Sequence, residues 1–180
     1  MRKFICSGLL GVMALLTGCA TIDFDYPRTE SVTITNTEQT RLGVRVAELS
    51  AGQDEGTSGF YPLVDGIEAL STRLLLAERA EVSIDTQYYL VKTDVSSTAF
   101  IDALLRAADR GVRVRLLIDD VFTKGYDAGM AALDSHPNFE VRVFNPFRRG
   151  AGGRVWSGLT DLGRVNRRMH TKSFTVDNQV

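Results

Sequence analysis

Apolar residues along the chain recur with two different periods after residue 65. Runs that repeat every three or four positions predict helices, and shorter runs rich in β-branched and aromatic residues predict strands. The predicted helices are 65–80, 96–110 and about 127–133, and the predicted strands are 82–90, 112–118, 139–144 and 169–176. Helices that alternate with strands predict an α/β fold with a parallel or mixed sheet under helical cover.

Polar residues mark the ends of these elements. Asp65 and Glu68 have the spacing of a capping box at the first helix. Ser96 or Ser97 is predicted to cap the second helix, and Gly111 is predicted to end it.

The remaining segments are polar or rich in glycine. Before residue 60 the chain is rich in Thr, Glu, Gly and Ser, and only the alternation in 42–47 suggests a short local strand. Residues 145–165 are predicted to form a loop rich in Gly and Arg. We therefore assign 19–59 to a flexible tether and 60–180 to the folded domain.

The first eighteen residues have the pattern of a secretory signal. A positive start (Met1–Lys3) precedes the apolar stretch Phe4–Leu16. As a helix this stretch spans about 20 Å, which is too short for a bilayer core of about 30 Å. It therefore predicts a cleaved signal peptide, residues 1–18.

The end of that signal, Leu16-Thr17-Gly18-Cys19, resembles the bacterial lipobox. The resemblance implies that Cys19 is acylated and becomes the mature N-terminus, and Ala20 implies sorting to the outer membrane. We expect a lipid-anchored protein on the periplasmic side of the outer membrane of a Gram-negative bacterium. The other cysteine, Cys6, lies within the signal, so the mature chain would form no internal disulfide.

Composition and charge narrow the class of function. The 180 residues are 44% hydrophobic and 24% charged, as in globular domains, and the formal net charge is −1. Within 147–172, however, seven cations stand against the single acid Asp161. The cations are Arg148, Arg149, Arg154, Arg164, Arg167, Arg168 and Lys172. This local field predicts a site for an anion rather than an extended nucleic-acid surface.

The most informative pattern is H-x-K-x4-D, formed by His170, Lys172 and Asp177. Side chains two apart on a strand share a face, so we expect His170 and Lys172 to project together. A nucleophile or base then stands beside a positive charge, an arrangement that suits a phosphate group. Asp177 falls in a predicted turn and is expected to orient or close the site. The spacing alone fits a half-buried strand with one exposed His and one exposed Lys equally well.

Five segments together carry a more specific signal. They are 84–89 (IDTQYY), 110–120 (RGVRVRLLIDD), 134–138 (DSHPN), 144–147 (FNPF) and 166–177 (NRRMHTKSFTVD). They resemble the phospholipase D superfamily, and within it the bacterial cardiolipin-synthase-like branch, over residues 60–180. The resemblance implies an α-β-α sandwich and a phosphodiester chemistry that needs neither metal nor cofactor.

The resemblance also implies roles for individual residues. In this family one His attacks phosphorus to form a phospho-histidine, and a second His, from another copy of the motif, protonates the leaving alcohol. His170 matches the His of the first copy, Lys172 the phosphate-clamping Lys, and Asp177 the supporting Asp. Arg167 and Arg168 lead into the motif and are candidate contacts for the phosphate or headgroup. Whether His170 is the nucleophile or the acid stays open.

A second copy of the motif does not occur in these 180 residues. The other histidine, His136, lacks a Lys two residues on and is predicted to be a turn residue. One imidazole cannot both attack and protonate on opposite sides of phosphorus. We therefore expect the chain to be the incomplete first half of a longer protein, inactive alone, whose missing C-terminal region supplies the second motif.

Other residues attract weaker interpretations. Asp119 and Asp120 end a predicted strand and are expected to line the crevice rather than to hold a metal. Tyr88 and Tyr89 alternate, which predicts one in the core and the other facing the cleft. Trp156 is either an interfacial lipid anchor or a packed aromatic.

The leading interpretation is a membrane-anchored phosphatidyltransferase of cardiolipin-synthase type that acts on phospholipid phosphodiesters. A hydrolytic phospholipase D would use the same His170 and Lys172 and release phosphatidic acid. A non-catalytic lipoprotein that binds anionic lipid is the alternative from another class. A nuclease is a further superfamily option, but the predicted lipid anchor and the lack of an extended basic surface argue against it. We therefore expect no nucleic-acid partner. The acceptor, the headgroup and acyl preference, and the oligomeric state are not fixed by the sequence.

Overall fold

The computed structural model describes residues 27–89 and 91–180. The helices are α1 (Arg41–Ser50), α2 (Gly66–Arg79), α3 (Val95–Asp109), α4 (Asp127–Asp134), α5 (Gly153–Thr160) and α6 (Leu162–Val165), with a 3-10 turn at Asp120–Phe122. The strands are β1 (Ser83–Tyr88), β2 (Arg113–Asp119), β3 (Phe139–Phe144) and β4 (Ser173–Val176). The predicted signal peptide and Cys19 lie outside the described residues.

The four strands form one mixed sheet in the order β3-β2-β1-β4. The pairs β1–β2 and β2–β3 are both parallel. β4 runs antiparallel beside β1, with Gln87 opposite Ser173 and Ile84 opposite Val176. The predicted α/β fold with a mixed sheet is therefore confirmed.

Contact density divides the chain into two compact units. One unit comprises residues 30–144 and 169–180, and therefore contains the whole sheet. The other contains 145–168 together with 27–29, among the residues that the structure describes. The predicted boundaries at residues 18 and 59 stay predictions.

The core of the sheet-containing unit lies between one sheet face and the helices α2 and α3. Alternate strand residues such as Ile84 and Val114 are fully buried, and α3 supplies Leu104 and Ala107. The next residues along β1 and β2 face the other way. There the guanidinium of Arg115 pairs with Asp85, with 2.5 Å between Nε and Oδ1.

Helix boundaries follow from side-chain caps, and one of these differs from the prediction. The Asp65 carboxylate accepts from the backbone N–H groups of Ile67 and Glu68, as its spacing predicts. Neither Ser96 nor Ser97 caps α3; Asp94 does, by accepting from the Ser97 N–H at 2.7 Å. An aspartate two or three residues earlier satisfies the same orphan donors, so the helix begins at Val95.

Residues 42–47 form part of helix α1, so the predicted local strand is wrong. The Thr40 hydroxyl caps this helix by accepting from the Gly43 N–H at 3.0 Å. A Cβ on Gly43 would lie 2.5 Å from the Thr37 carbonyl oxygen, so only glycine allows this turn to close on the preceding segment.

At the start of α1, the Arg41 backbone N–H and guanidinium hold the pKa of Glu81 below its usual range.

Two further predictions need correction. Residues 145–165 are not a continuous loop, because they contain α5 and α6. The strand predicted at 169–176 begins only at Ser173, so His170 and Lys172 precede it.

Within 27–89 and 91–180, no helix is long and apolar enough to span a bilayer.

Candidate active site

The candidate site lies at the carboxyl edge of the parallel strands. β1 ends at Tyr88 and β2 at Asp119, while the antiparallel β4 begins opposite the end of β1. His170 and Lys172 lie just before β4 and therefore at the same edge. In open α/β sheets this edge is where ligands bind.

One aromatic ring holds the two motif residues together. The rings of Tyr89 and His170 have their centroids 4.2 Å apart at an interplanar angle of 38°. The Lys172 Nζ lies 5.6 Å from the centroid of the same Tyr89 ring and donates to the His170 carbonyl oxygen at 3.0 Å. Both side chains thus lie near the same ring, and because they precede β4 this placement does not come from strand alternation. Both remain exposed to solvent.

The two adjacent tyrosines divide between core and site, as their alternation predicts. Tyr88 packs edge-on against Phe100, with 5.3 Å between ring centroids, and its burial raises the pKa of its phenol. Tyr89 turns to the other side, where it contacts His170 and packs edge-on against Phe122 at 5.6 Å. The position of Tyr89 is therefore fixed by β1 on one side and by the turn after β2 on the other.

Asp119 positions the backbone that carries His170. Its side chain is fully buried; Oδ1 accepts from the Val121 N–H and Oδ2 from the Met169 N–H, each at 2.8 Å. The second bond joins the end of β2 to the residue immediately before His170. The sequence prediction placed Asp119 only as a residue lining the crevice. The sequence feature that points to this positioning role is the place of Asp119 at the carboxyl end of a parallel strand.

Asp120 is buried beside Asp119 but has a local role. Its carboxylate accepts from the Thr123 hydroxyl, and its carbonyl oxygen accepts from the Thr123 backbone N–H at 3.4 Å. Among the residues that the structure describes, no group of three or more His, Cys, Asp and Glu side chains is arranged to hold a metal ion.

Asp177 lies at the opposite end of β4 from His170. Its fully buried carboxylate accepts from three consecutive backbone N–H groups, with Oδ1 2.8 Å from Val82 N and 3.0 Å from Ser83 N, and Oδ2 3.1 Å from Glu81 N. In return the Asp177 N–H donates to the Ser83 carbonyl oxygen at 2.8 Å. Asp177 therefore fixes the far end of the strand rather than contacting the imidazole.

The other candidate residues fall elsewhere. Arg167 and Arg168 belong to the unit that contains 145–168. The Arg168 guanidinium lies over the Phe147 ring, 4.9 Å from its centroid, and donates to the Asn145 carbonyl oxygen at 3.0 Å. The His136 ring accepts from the Asn138 N–H at 3.2 Å, as expected of a turn residue.

A separate cavity of about 250 Å³ opens in the sheet-containing unit. Asp85, Gln87 and Arg115 line it, together with residues of β3, and neither His170 nor Lys172 does.

Comparison with known proteins identifies the family. Residues 75–180 match the family described as cardiolipin synthase, PLD-like domain. The chain belongs to this family. Cardiolipin synthase C of Escherichia coli (strain K12) is 50% identical over 140 residues, which are 78% of this chain and 29% of that protein. An uncharacterized protein of Helicobacter pylori (strain ATCC 700392 / 26695) is 36% identical over 162 residues, 89% of this chain and 32% of that protein.

Among solved structures, NucT from Helicobacter pylori matches with a TM-score of 0.41 and 19% identity, over 62% of each chain. The resemblance found in the sequence is confirmed at the level of the family. The chain spans 29% and 32% of the length of the two relatives named above. The activity of the whole protein is therefore a proposal.

Replacing Asp177 by Ala is expected to lower the free energy of unfolding of the full-length protein by about 3–5 kcal/mol, because three buried N–H groups lose their acceptor. Asp177→Asn keeps the shape but replaces one acceptor oxygen by a donor, and we expect a loss of about 2–3 kcal/mol. Urea denaturation measures both. The control is Asn178→Asp, at an exposed neighbour with a similar positive φ of 52°, for which we expect less than about 0.5 kcal/mol. A loss below about 1 kcal/mol for Asp177→Ala would contradict this role.

Asp119→Asn is expected to loosen the backbone before His170 without unfolding the sheet. The amide oxygen can replace only one carboxylate oxygen, so either the Met169 or the Val121 N–H loses its partner. Peptide-resolved hydrogen exchange of the full-length protein is expected to show at least about tenfold faster exchange in 169–172, with β1 unchanged. Asp102→Asn, on the exposed surface of α3, is the matched control. Equal protection of 169–172 in both variants would show that Asp119 does not position this segment.

Proposed function

We propose that the full-length protein containing this chain is a phosphatidyltransferase of cardiolipin-synthase type that acts on phospholipid phosphodiesters. The observation that carries the proposal is the contact of His170 and Lys172 with one ring, Tyr89, at the carboxyl edge of the sheet. An imidazole and an ammonium that lie near the same ring at this edge match the needs of a phosphodiester substrate. Family membership and 50% identity to a cardiolipin synthase support the same reaction class.

The proposed reaction has two steps. The imidazole of His170 attacks phosphorus, a P–N bond forms, and the P–O bond to the leaving alcohol breaks. A second acid gives the leaving oxygen its proton. The hydroxyl of an acceptor then attacks phosphorus, loses its proton to that same group, and breaks the P–N bond. Throughout, the Lys172 ammonium offsets the charge on the non-bridging oxygens.

The second acid is proposed to be a histidine of another motif copy, in a part of the protein beyond this chain. His136 is held in a turn by the bond that its Nδ1 accepts from the Asn138 N–H, and its Nε2 lies 3.3 Å from Asp109 Oδ1. It therefore has a structural explanation. If His170 is instead the acid, the same two steps run with the roles of the two imidazoles exchanged.

A hydrolytic phospholipase D is the second candidate. The observation that favours it is the solvent exposure of both His170 and Lys172 in this chain. Water that reaches the phospho-histidine would compete with an alcohol acceptor, and phosphatidic acid would be released. The choice between transfer and hydrolysis depends on how well the assembled site excludes water.

We further propose that Cys19 carries the lipid anchor and places the protein on the periplasmic side of the outer membrane. The lipobox-like residues 16–19 support this, and the mass of the mature N-terminal peptide tests it. An unmodified N-terminus elsewhere would remove the anchor from the proposal.

His170→Ala is expected to reduce phosphatidyl transfer by the full-length protein about a thousandfold or more, because one of the two imidazoles that the proposed reaction needs is lost. The matched control is His136→Ala, which removes the other histidine of this chain and is expected to leave the rate within about twofold. The assay uses phosphatidylglycerol vesicles and separates the products by thin-layer chromatography or mass spectrometry.

The products distinguish the candidate functions. Diphosphatidyl or other transfer products support the transferase, phosphatidic acid alone supports the hydrolase, and no turnover of either variant or wild type supports a lipid-binding protein. The chain of residues 1–180, assayed alone, is expected to show no turnover. Measurable transfer by this piece would contradict the need for a second motif.

A further inference from the structure

Helix α5 presents an apolar surface to solvent. Val155, Trp156 and Leu159 are 69%, 49% and 76% exposed, and Leu162 at the start of α6 is 63% exposed. The spacing of the first three residues places them on one side of α5, and Leu162 continues the same spacing into α6. We call these four residues the α5 surface.

The orientation of this surface is fixed from the opposite side of the helix. Gly153 and Ser157, one turn apart, are buried. The Ser157 hydroxyl accepts from the Arg148 N–H at 3.0 Å, and a Cβ on Gly153 would lie 2.5 Å from the Arg148 carbonyl oxygen. The preceding segment is therefore packed tightly against one side of α5, so that Val155, Trp156 and Leu159 must face away from it.

The segment that contains the α5 surface is strongly basic. Residues 145–168 contain six arginines and a single acid, Asp161, whose carboxylate pairs with Arg164 at 2.5 Å. The guanidinium groups of Arg154 and Arg168 lie over the Phe147 ring, 4.6 and 4.9 Å from its centroid. Aromatic packing thus holds two of the charges within the same compact unit as the helix.

We propose that the α5 surface docks on an anionic lipid bilayer, with its apolar side chains entering the boundary between headgroups and acyl chains. Apolar and aromatic residues on one helix side, within a segment rich in arginine, are the combination that binds such interfaces. Trp156 has the amphipathic ring that prefers headgroup depth.

This inference rests on the proposed function, since it assigns to the same protein the surface by which it reaches a phospholipid substrate. It deepens that function by naming the element that contacts the bilayer. The basic charge would also draw the protein to membrane regions rich in anionic lipid.

The test uses tryptophan fluorescence of the full-length protein and brominated lipids, which quench tryptophans that enter the acyl region. The difference between wild type and Trp156→Phe isolates the signal of Trp156. Vesicles of brominated phosphatidylglycerol are expected to quench this signal by at least about half. Vesicles of brominated phosphatidylcholine, or about 1 M salt, are expected to leave most of it. Every protein in this test also carries Cys19→Ser, so that the proposed lipid anchor does not hold it on vesicles of either composition.

A double variant tests the apolar part. Val155→Ser with Leu159→Ser removes two exposed side chains and is expected to raise the lipid concentration for half-maximal quenching at least about tenfold. Leu49→Ser, at a 63% exposed leucine on α1, is the matched control and is expected to change nothing.

The proposal is overturned if anionic vesicles leave the Trp156 signal unquenched, as they would if another protein segment covers α5. It is also overturned if quenching is equal with zwitterionic vesicles at all salt concentrations. The measurement requires no turnover. Quenching by a protein that transfers no phosphatidyl group would therefore refute the proposed function and leave the docking proposal in place. Transfer without quenching would refute the docking proposal and leave the proposed function in place.

Discussion

One buried carboxylate fixes the geometry on which the candidate site depends. Asp177 accepts hydrogen bonds from three consecutive N–H groups, those of the two residues before β1 and of Ser83, its first residue, and its own N–H returns a bond to Ser83. β4 has only four residues and pairs along one side with β1, so few ladder bonds hold it. Bonds from N–H groups to a charged acceptor are stronger than neutral ones and are costly to leave unmade when buried. The aspartate of the motif thus sets the register of the strand that leads back to His170.

The segment before β4 is held at its other end by different means. The Asp119 carboxylate bonds the Met169 N–H, and the Tyr89 ring contacts both His170 and Lys172. The backbone is therefore fixed by two buried carboxylates, while the reactive side chains rest on an aromatic surface and stay exposed. This separation of tasks explains why a motif aspartate can matter to a phosphodiester site without touching the phosphate. Asp177 acts by fixing β4, whereas the Tyr89 ring contacts the side chains of His170 and Lys172 directly.

Much of this architecture follows from local sequence, and the failures have physical causes. The bounds of β3 and the Asp65 cap agree with the prediction because both depend on neighbouring residues. Residues 42–47 alternate like a strand, yet the Thr40 cap and the close approach at Gly43 favour a helix. The helices within 145–165 were missed because glycine lowers helix propensity, which tertiary packing overrides. The bond from Asp119 to Met169 could not be predicted, since it joins residues 50 apart in the chain.

In the proposed reaction, the exposure of His170 and Lys172 leaves the exclusion of water to another part of the assembled site. At 4 Å, an ammonium and a phosphate oxygen attract by only about 1 kcal/mol in bulk water, and by several times more where water is excluded. A lysine is a compact and strongly hydrated charge, so its grip on phosphate depends on that exclusion. The same exclusion favours an alcohol over water as the acceptor of the phosphatidyl group. In the proposed reaction, covering this edge of the sheet would strengthen the hold of Lys172 on phosphate and favour transfer over hydrolysis, and the second acid would have to reach the same edge.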